Sequence, residues 1–98
     1  MGTHNRYLFC YDVEDNKTRR KLFEALKDLG LVPIQKSVFF GDLNAAELRS
    51  LRRLVCSLLD AGSDRCFWVQ SNGLERDLPA HLGYRNFTLI PPEGSCCV

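Results

Sequence analysis

The 98-residue sequence predicts one α+β domain, an antiparallel sheet with helices on one face. Three observations predict it. Strand-like and helix-like runs follow the order strand, helix, strand, strand, helix, strand, with one further strand-like run near the end. Each helical run carries a single apolar stripe, so each can cover only one side of a sheet. Two strand runs, "YLFCYD" and "CFWV", are apolar on both faces, so they call for cover on both sides. A content of 45% hydrophobic and 26% charged residues fits a soluble globular domain. At this length the core is small, and oligomerisation is a natural supplement.

The first strand is expected over residues 6–13, with Tyr7, Phe9 and Tyr11 on one face and Leu8, Cys10 and Asp12 on the other. A helix follows over 16–29. Leu22, Phe23, Leu26 and Leu29 form its stripe, Asp15 or Asn16 caps it, and Gly30 stops it. Residues 31–43, "LVPIQKSVFFGDL", are strand-like. A tight turn at Lys36-Ser37 would give strands near 32–35 and 38–42, and one bent strand satisfies the pattern as well. The second helix is expected over 44–61, with Asn44 and Glu47 spaced as a capping box. "RCFWVQ", 65–70, is the fourth strand. Residues 71–83 are polar and broken by Gly73, Pro79 and Gly83, which predicts a loop. "YRNFTLI", 84–90, reads as a last strand stopped by Pro91-Pro92. The domain therefore spans 1–90, with a tail over 91–98. This is the ferredoxin-like βαββαβ pattern with an additional C-terminal strand. The sheet face away from the helices would still show aromatic residues, so a second subunit or a ligand such as RNA is expected to cover it.

Charge and cysteines limit the function classes. The net charge is only +1, yet nine of the 13 cations lie between Lys17 and Arg53, so a local basic face is compatible with a neutral total. The five cysteines match no zinc spacing. Cys10, Cys56 and Cys66 read as small buried hydrophobes, and a reduced, cytoplasmic setting is expected. No apolar run reaches the roughly 20 residues of a membrane span. There is no Walker loop, dinucleotide fingerprint or triad spacing, and His4 and His81 lack an acid partner at motif spacing.

Asp12 is the first chemical candidate. An acid at the C-terminal end of a central strand is placed to bind a metal or polarise water. Taken by itself, the residue is explained more simply as an exposed strand-end acid or a cap for the next helix. One carboxylate is a poor metal site, so a second chain or the substrate would have to complete the shell. Lys17, Arg19, Arg20 and Lys21 occupy the first turns of the first helix, where each exposed cation opposes the macrodipole by about 0.3–1 kcal/mol. Phosphate contacts would explain that cost, and so would pairing with Glu14, Asp15 and Glu24. Arg49, Arg52 and Arg53 fall on the polar side of the second helix. Together these cations make a surface able to follow a phosphate backbone. Ser37 suits a turn and could also donate to a phosphate.

With these residues in place, "YLFCYDVEDNKTRRKLFEALKDLG" followed by "PIQKSVFFGDL" resembles the small CRISPR-associated adaptation proteins of the "Cas two" family. The likeness runs from residue 7 to about 70. It implies a ferredoxin-like fold and a homodimer in which the sheets face each other and the last strand pairs with the partner's sheet. It implies that two Asp12 carboxylates share a divalent metal, commonly magnesium, across the twofold axis. The helix-start arginine corresponds to Arg20 or Arg19, and the hairpin serine and phenylalanine to Ser37 and Phe39. Lys17, Arg19, Arg20, Ser37 and Phe39 are thus the expected nucleic-acid contacts, with Asp12 the expected catalytic and metal residue. Many members carry Glu after the hairpin phenylalanine, whereas Phe40 stands here. That leaves one fewer group for metal or proton transfer.

Two roles follow from the resemblance. One is metal-dependent cleavage of phosphodiesters in single-stranded RNA or duplex DNA. The other is a non-catalytic DNA bridge in the spacer-integration complex, alongside the CRISPR integrase ("Cas one"). A toxin-type ribonuclease shares the fold. So does an RNA-recognition module, but its Gly-Phe-Gly-Phe-type strand is absent.

Overall fold

A computed structural model describes residues 4–87 of the chain. Its central strand, β1 (Asn5–Asp12), is followed by α1 (Asn16–Asp28), β2 (Val32–Gln35), β3 (Val38–Leu43), α2 (Ala45–Leu58) and β4 (Arg65–Gln70). The sheet order is β2-β3-β1-β4, and every neighbouring pair is antiparallel. This is the ferredoxin-like order that the run of elements predicts. Residues 31–43 form a hairpin rather than one bent strand. Its turn, at Lys36-Ser37, places Ser37 at φ 68°, a left-handed conformation uncommon outside glycine.

Register assigns the faces. Phe9 lies opposite Phe39 on one side and Trp68 on the other, and these residues face the helices. Phe9 and Phe39 are fully buried, with Leu22 and Leu26 from α1 and Leu51 from α2. Phe9 stacks on Trp68 with ring centroids 5.8 Å apart, and Phe23 meets Phe39 edge-on at 5.2 Å. Burying each such ring contributes roughly 1.5–3 kcal/mol. Asp15, not Asn16, caps α1 by accepting from the Thr18 N–H at 2.8 Å. Asn44 and Glu47 form the expected capping box, with both bonds at 2.8 Å.

The second face differs from the expected picture. Residues 71–83 are not a simple loop: they contain the short helix α3 (Leu74–Asp77) and a 3₁₀ turn (Leu78–Ala80). Arg6 holds this segment. Its backbone carbonyl accepts from Ser71 N at 2.8 Å, its N–H donates to Asn72, and its guanidinium pairs with both Asp42 and Glu75. At the far edge the Tyr84 hydroxyl donates to the Ile34 carbonyl at 2.7 Å. The segment thus runs across the sheet from β4 to β2. Phe40 and Leu78 are buried outside the helix-side core. Alternation places Phe40 on the face opposite Phe39.

Among the described residues, this segment covers the part of the face near the start of β1. Phe67, opposite Cys10, and Val69, opposite Leu8, remain 59% and 47% exposed. The expected strand at 84–90 is not seen over its described part. Residues 84–87 make a turn, with Phe87 N donating to the Tyr84 carbonyl at 3.0 Å, after Gly83 bends the chain at φ 90°. Residues 88–90 and the tail at 91–98, with Cys96 and Cys97, lie outside the described residues.

Candidate functional site

Asp12 is the last residue of β1, exposed and opposite Arg65 of β4. Its alternation partners on β1 are Leu8 and Cys10, so its side chain belongs to the face away from the helices. The Val13–Glu14 peptide group that follows it is anchored at both ends. Val13 is buried, and its carbonyl accepts from the Arg19 guanidinium at 2.7 Å. The Glu14 N–H donates to the Asp64 carboxylate at 3.0 Å. Asp64 also accepts from Asp60 N at 3.0 Å. The Asp60 and Glu14 N–H groups hold the Asp64 carboxyl below the usual carboxylate range.

Two grooves meet at Tyr11. One, of about 700 Å³, lies between the start of α1 and the hairpin turn, and Tyr11, Arg19, Arg20, Phe23, Lys36 and Ser37 line it. Here burial pushes the Tyr11 phenol up, and a hydrogen bond with Ser37 and the Arg19 charge partly offset it. The Ser37 carbonyl also accepts from Tyr11 N at 3.1 Å, which ties the turn to the end of β1. The other groove, of about 860 Å³, follows the β4 edge past Asp12, Cys10, Cys66, Phe67 and Val55.

The structure brings Arg19, Arg20 and Ser37 together, with Lys36 beside them. Lys17 is exposed in the first turn of α1 but outside that groove. The ion pairing with Glu14, Asp15 and Glu24 considered for these cations is absent among the described residues. Arg19 bonds Asn16 and the Val13 carbonyl, while no ion pair is formed by Lys17, Arg20 or Lys21 among the described residues. Phe39, expected to contact nucleic acid, is fully buried between Tyr11 and Phe23, so here it supports the groove from beneath. Asp12 lines the other groove. Of the cysteines read as buried, Cys10 and Cys66 are half-buried and burial raises both thiols, but Cys56 is exposed.

Asp64, Arg6 and Glu75 carry structure that the linear pattern did not single out. "DAGSD", 60–64, reads as a polar turn, and only the fold carries Asp64 to Glu14, 50 residues away. An exposed carboxylate such as Asp12 is the hard oxygen donor that suits magnesium. Yet no group of three or more His, Cys, Asp or Glu side chains is placed to hold a metal among the described residues. A single chain thus offers the right donor type but too few donors.

The family model "CRISPR associated protein Cas2" matches residues 5–76, which include the residues that line both grooves. The chain belongs to the CRISPR-associated Cas2 family. It is 41% identical over 88 residues to "CRISPR-associated endoribonuclease Cas2 1" of Francisella tularensis subsp. novicida, covering 90% of each chain. It is 34% identical to "CRISPR-associated endoribonuclease Cas2" of Korarchaeum cryptofilum, covering 93% of this chain and 98% of that one. A crystal structure of a hypothetical protein from Thermus thermophilus superimposes with a TM-score of 0.68 at 35% identity, over 72% of this chain and 85% of the other. Streptococcus pyogenes Cas2 shares the fold, with a TM-score of 0.63 at 21% identity, over 80% and 99%. The Cas2 match ends at residue 76, so the segment that crosses the second face lies mostly beyond it. No helix among the described residues is long and apolar enough to cross a membrane.

Proposed function

We propose that this Cas2 chain acts as a homodimer that binds nucleic acid and cleaves phosphodiesters, with Asp12 from each copy forming one magnesium site. The observation that carries this reading is the position of Asp12: exposed at the end of the central strand, on the part of the sheet face that the described residues leave open, near Phe67 at 59% exposure. A second copy on that apolar surface would supply the carboxylate that one chain lacks. Magnesium is commonly held by one or two carboxylates together with waters and phosphate oxygens. Bound there, it would polarise water and offset charge on the scissile phosphate.

The chain's own residues would do the rest. Arg20 and Lys36 are exposed and would contact phosphate oxygens from the hairpin groove, where Ser37 would add a hydroxyl donor. Lys17 would extend the positive surface along α1. RNA is the favoured substrate, because the relatives from Francisella and Korarchaeum are named endoribonucleases.

The decisive measurement is cleavage of single-stranded RNA and duplex DNA by the wild type and Asp12→Asn, with magnesium and with chelator. Loss of roughly a hundredfold or more in rate is expected for the variant and for chelation. Equal cleavage of each substrate by both proteins, with magnesium and with chelator, would remove Asp12 and the metal from the reaction. The second reading, a DNA bridge beside the CRISPR integrase, is favoured by the basic groove, which does not include Asp12. It takes over if Asp12→Asn still supports spacer acquisition while Arg20→Glu abolishes it.

A further inference from the structure

The arrangement that goes furthest beyond this reading is the double hold on the backbone just after Asp12. Asp12 is the last residue of β1 paired to β4, and strand ends ordinarily fray. Here the Val13–Glu14 peptide group is fixed on both its carbonyl and its N–H side, from different elements. Arg19 of α1 holds the Val13 carbonyl at 2.7 Å, and Asp64, from the loop before β4, holds the Glu14 N–H at 3.0 Å. We infer that Asp64 is a positioning residue for Asp12: by holding the Glu14 amide, it fixes the direction in which the Asp12 carboxylate leaves the sheet. The effect on cleavage rests on the function proposed above; the effect on geometry does not.

An ionised carboxylate suits this task. Oδ1 accepts from Glu14 N, and from the Ser63 hydroxyl at 3.3 Å, while Oδ2 accepts from Asp60 N at 3.0 Å. An asparagine offers one oxygen and would turn an NH₂ towards the other donor. The bond also spans two loops, since Glu14 and Asp64 are 50 residues apart. Asp60 supplies a contrast. Its side chain accepts from Gly62 N at 2.9 Å and so shapes the same loop without touching the β1 end.

The test compares the full-length wild type with Asp64→Ala, Asp64→Asn and Asp60→Ala. Three quantities are read: amide exchange at Glu14 and Asp12 side-chain rotamer couplings, both by NMR, and kcat and KM on single-stranded RNA with magnesium. For both Asp64 variants, exchange at Glu14 is expected to quicken by roughly tenfold or more. The Asp12 couplings should average, and kcat should fall by roughly tenfold or more with KM changed less than about twofold. Asp60→Ala should leave all three unchanged even where it lowers Tm. Should Asp64→Ala not fold, Asp64→Asn carries the same readouts. A protected Glu14 amide and a single Asp12 rotamer in the Asp64 variants would overturn the inference, as would equal losses in Asp60→Ala. If the wild type cleaves nothing, the proposed function fails, and exchange and couplings still decide the role of Asp64.

Discussion

Gly41 lies where β3 passes beneath Leu31. A methyl group there would sit 2.9 Å from Leu31 Cδ2 and 3.3 Å from Leu31 Cα, closer than side chains pack. Leu31 is itself buried and has little room to yield. Gly41→Ala should therefore destabilise the fold by about 1–3 kcal/mol, and a thermal melt should show Tm lower by roughly 4–8 °C per kcal/mol. An unchanged Tm would mean that β3 and Leu31 can move apart freely. At this scale the sequence was uneven in what it revealed. Asp12 was legible, because a carboxylate closing an apolar strand run is visible in one dimension. The separate uses of Arg19 and Arg20 were not, since only the path of the loop brings the Val13 carbonyl to Arg19 and leaves Arg20 in the open. The parity of Phe39 and Phe40 was equally hidden. It depends on the register of β3 against β1, which sets Phe39 opposite Phe9 and Phe40 opposite Leu8.

Elements with their own periodicity and caps were readable; those held by distant partners were not. α1 and α2 begin on Asp15 and Asn44, both visible as capping residues. α3 has four residues, and Gly73 before it makes no side-chain cap. It is held by Glu75 against Arg6, a contact no local pattern announces. The α1 cap also gives a pH prediction. The Thr18 N–H, then the Thr18 hydroxyl, hold the Asp15 carboxyl below its usual range. A carboxyl whose folded pKa is depressed adds stability above its unfolded value, about 3.9. That contribution is lost as pH falls through the folded value. Tm should thus be level from about pH 5 to 7 and fall below about pH 4. Asp15→Asn keeps a capping oxygen but not the titration, so its acid limb should be shallower. Parallel acid limbs in the two proteins would show that the cap charge is not coupled to folding.

At the scale of the whole molecule, the alternation of runs and the single apolar stripe on each helix were enough to give the sheet order and the side the helices take. The sequence also showed that the second face needs cover, but not that the chain supplies part of that cover itself through Tyr84 and Ile34. The part that the described residues leave open is where the proposed dimer is tested. Phe67 is 59% exposed, so Phe67→Glu should cost the monomer little stability while placing a charge in the interface. Sedimentation velocity should find the wild type dimeric and the variant monomeric. A variant that stays dimeric would place the interface elsewhere.

One consequence follows from the pairing of Tyr11 and Asp12 on consecutive positions of β1. Consecutive strand residues face opposite sides, so the phenol belongs to the hairpin groove and the carboxylate to the β4 groove. One residue inserted or lost between Phe9 and Asp12 would exchange their sides, driving a charge towards the core and a ring towards water. The length of this stretch is therefore as much a part of the site as its chemistry, and substitutions should be far better tolerated within it than any change in count.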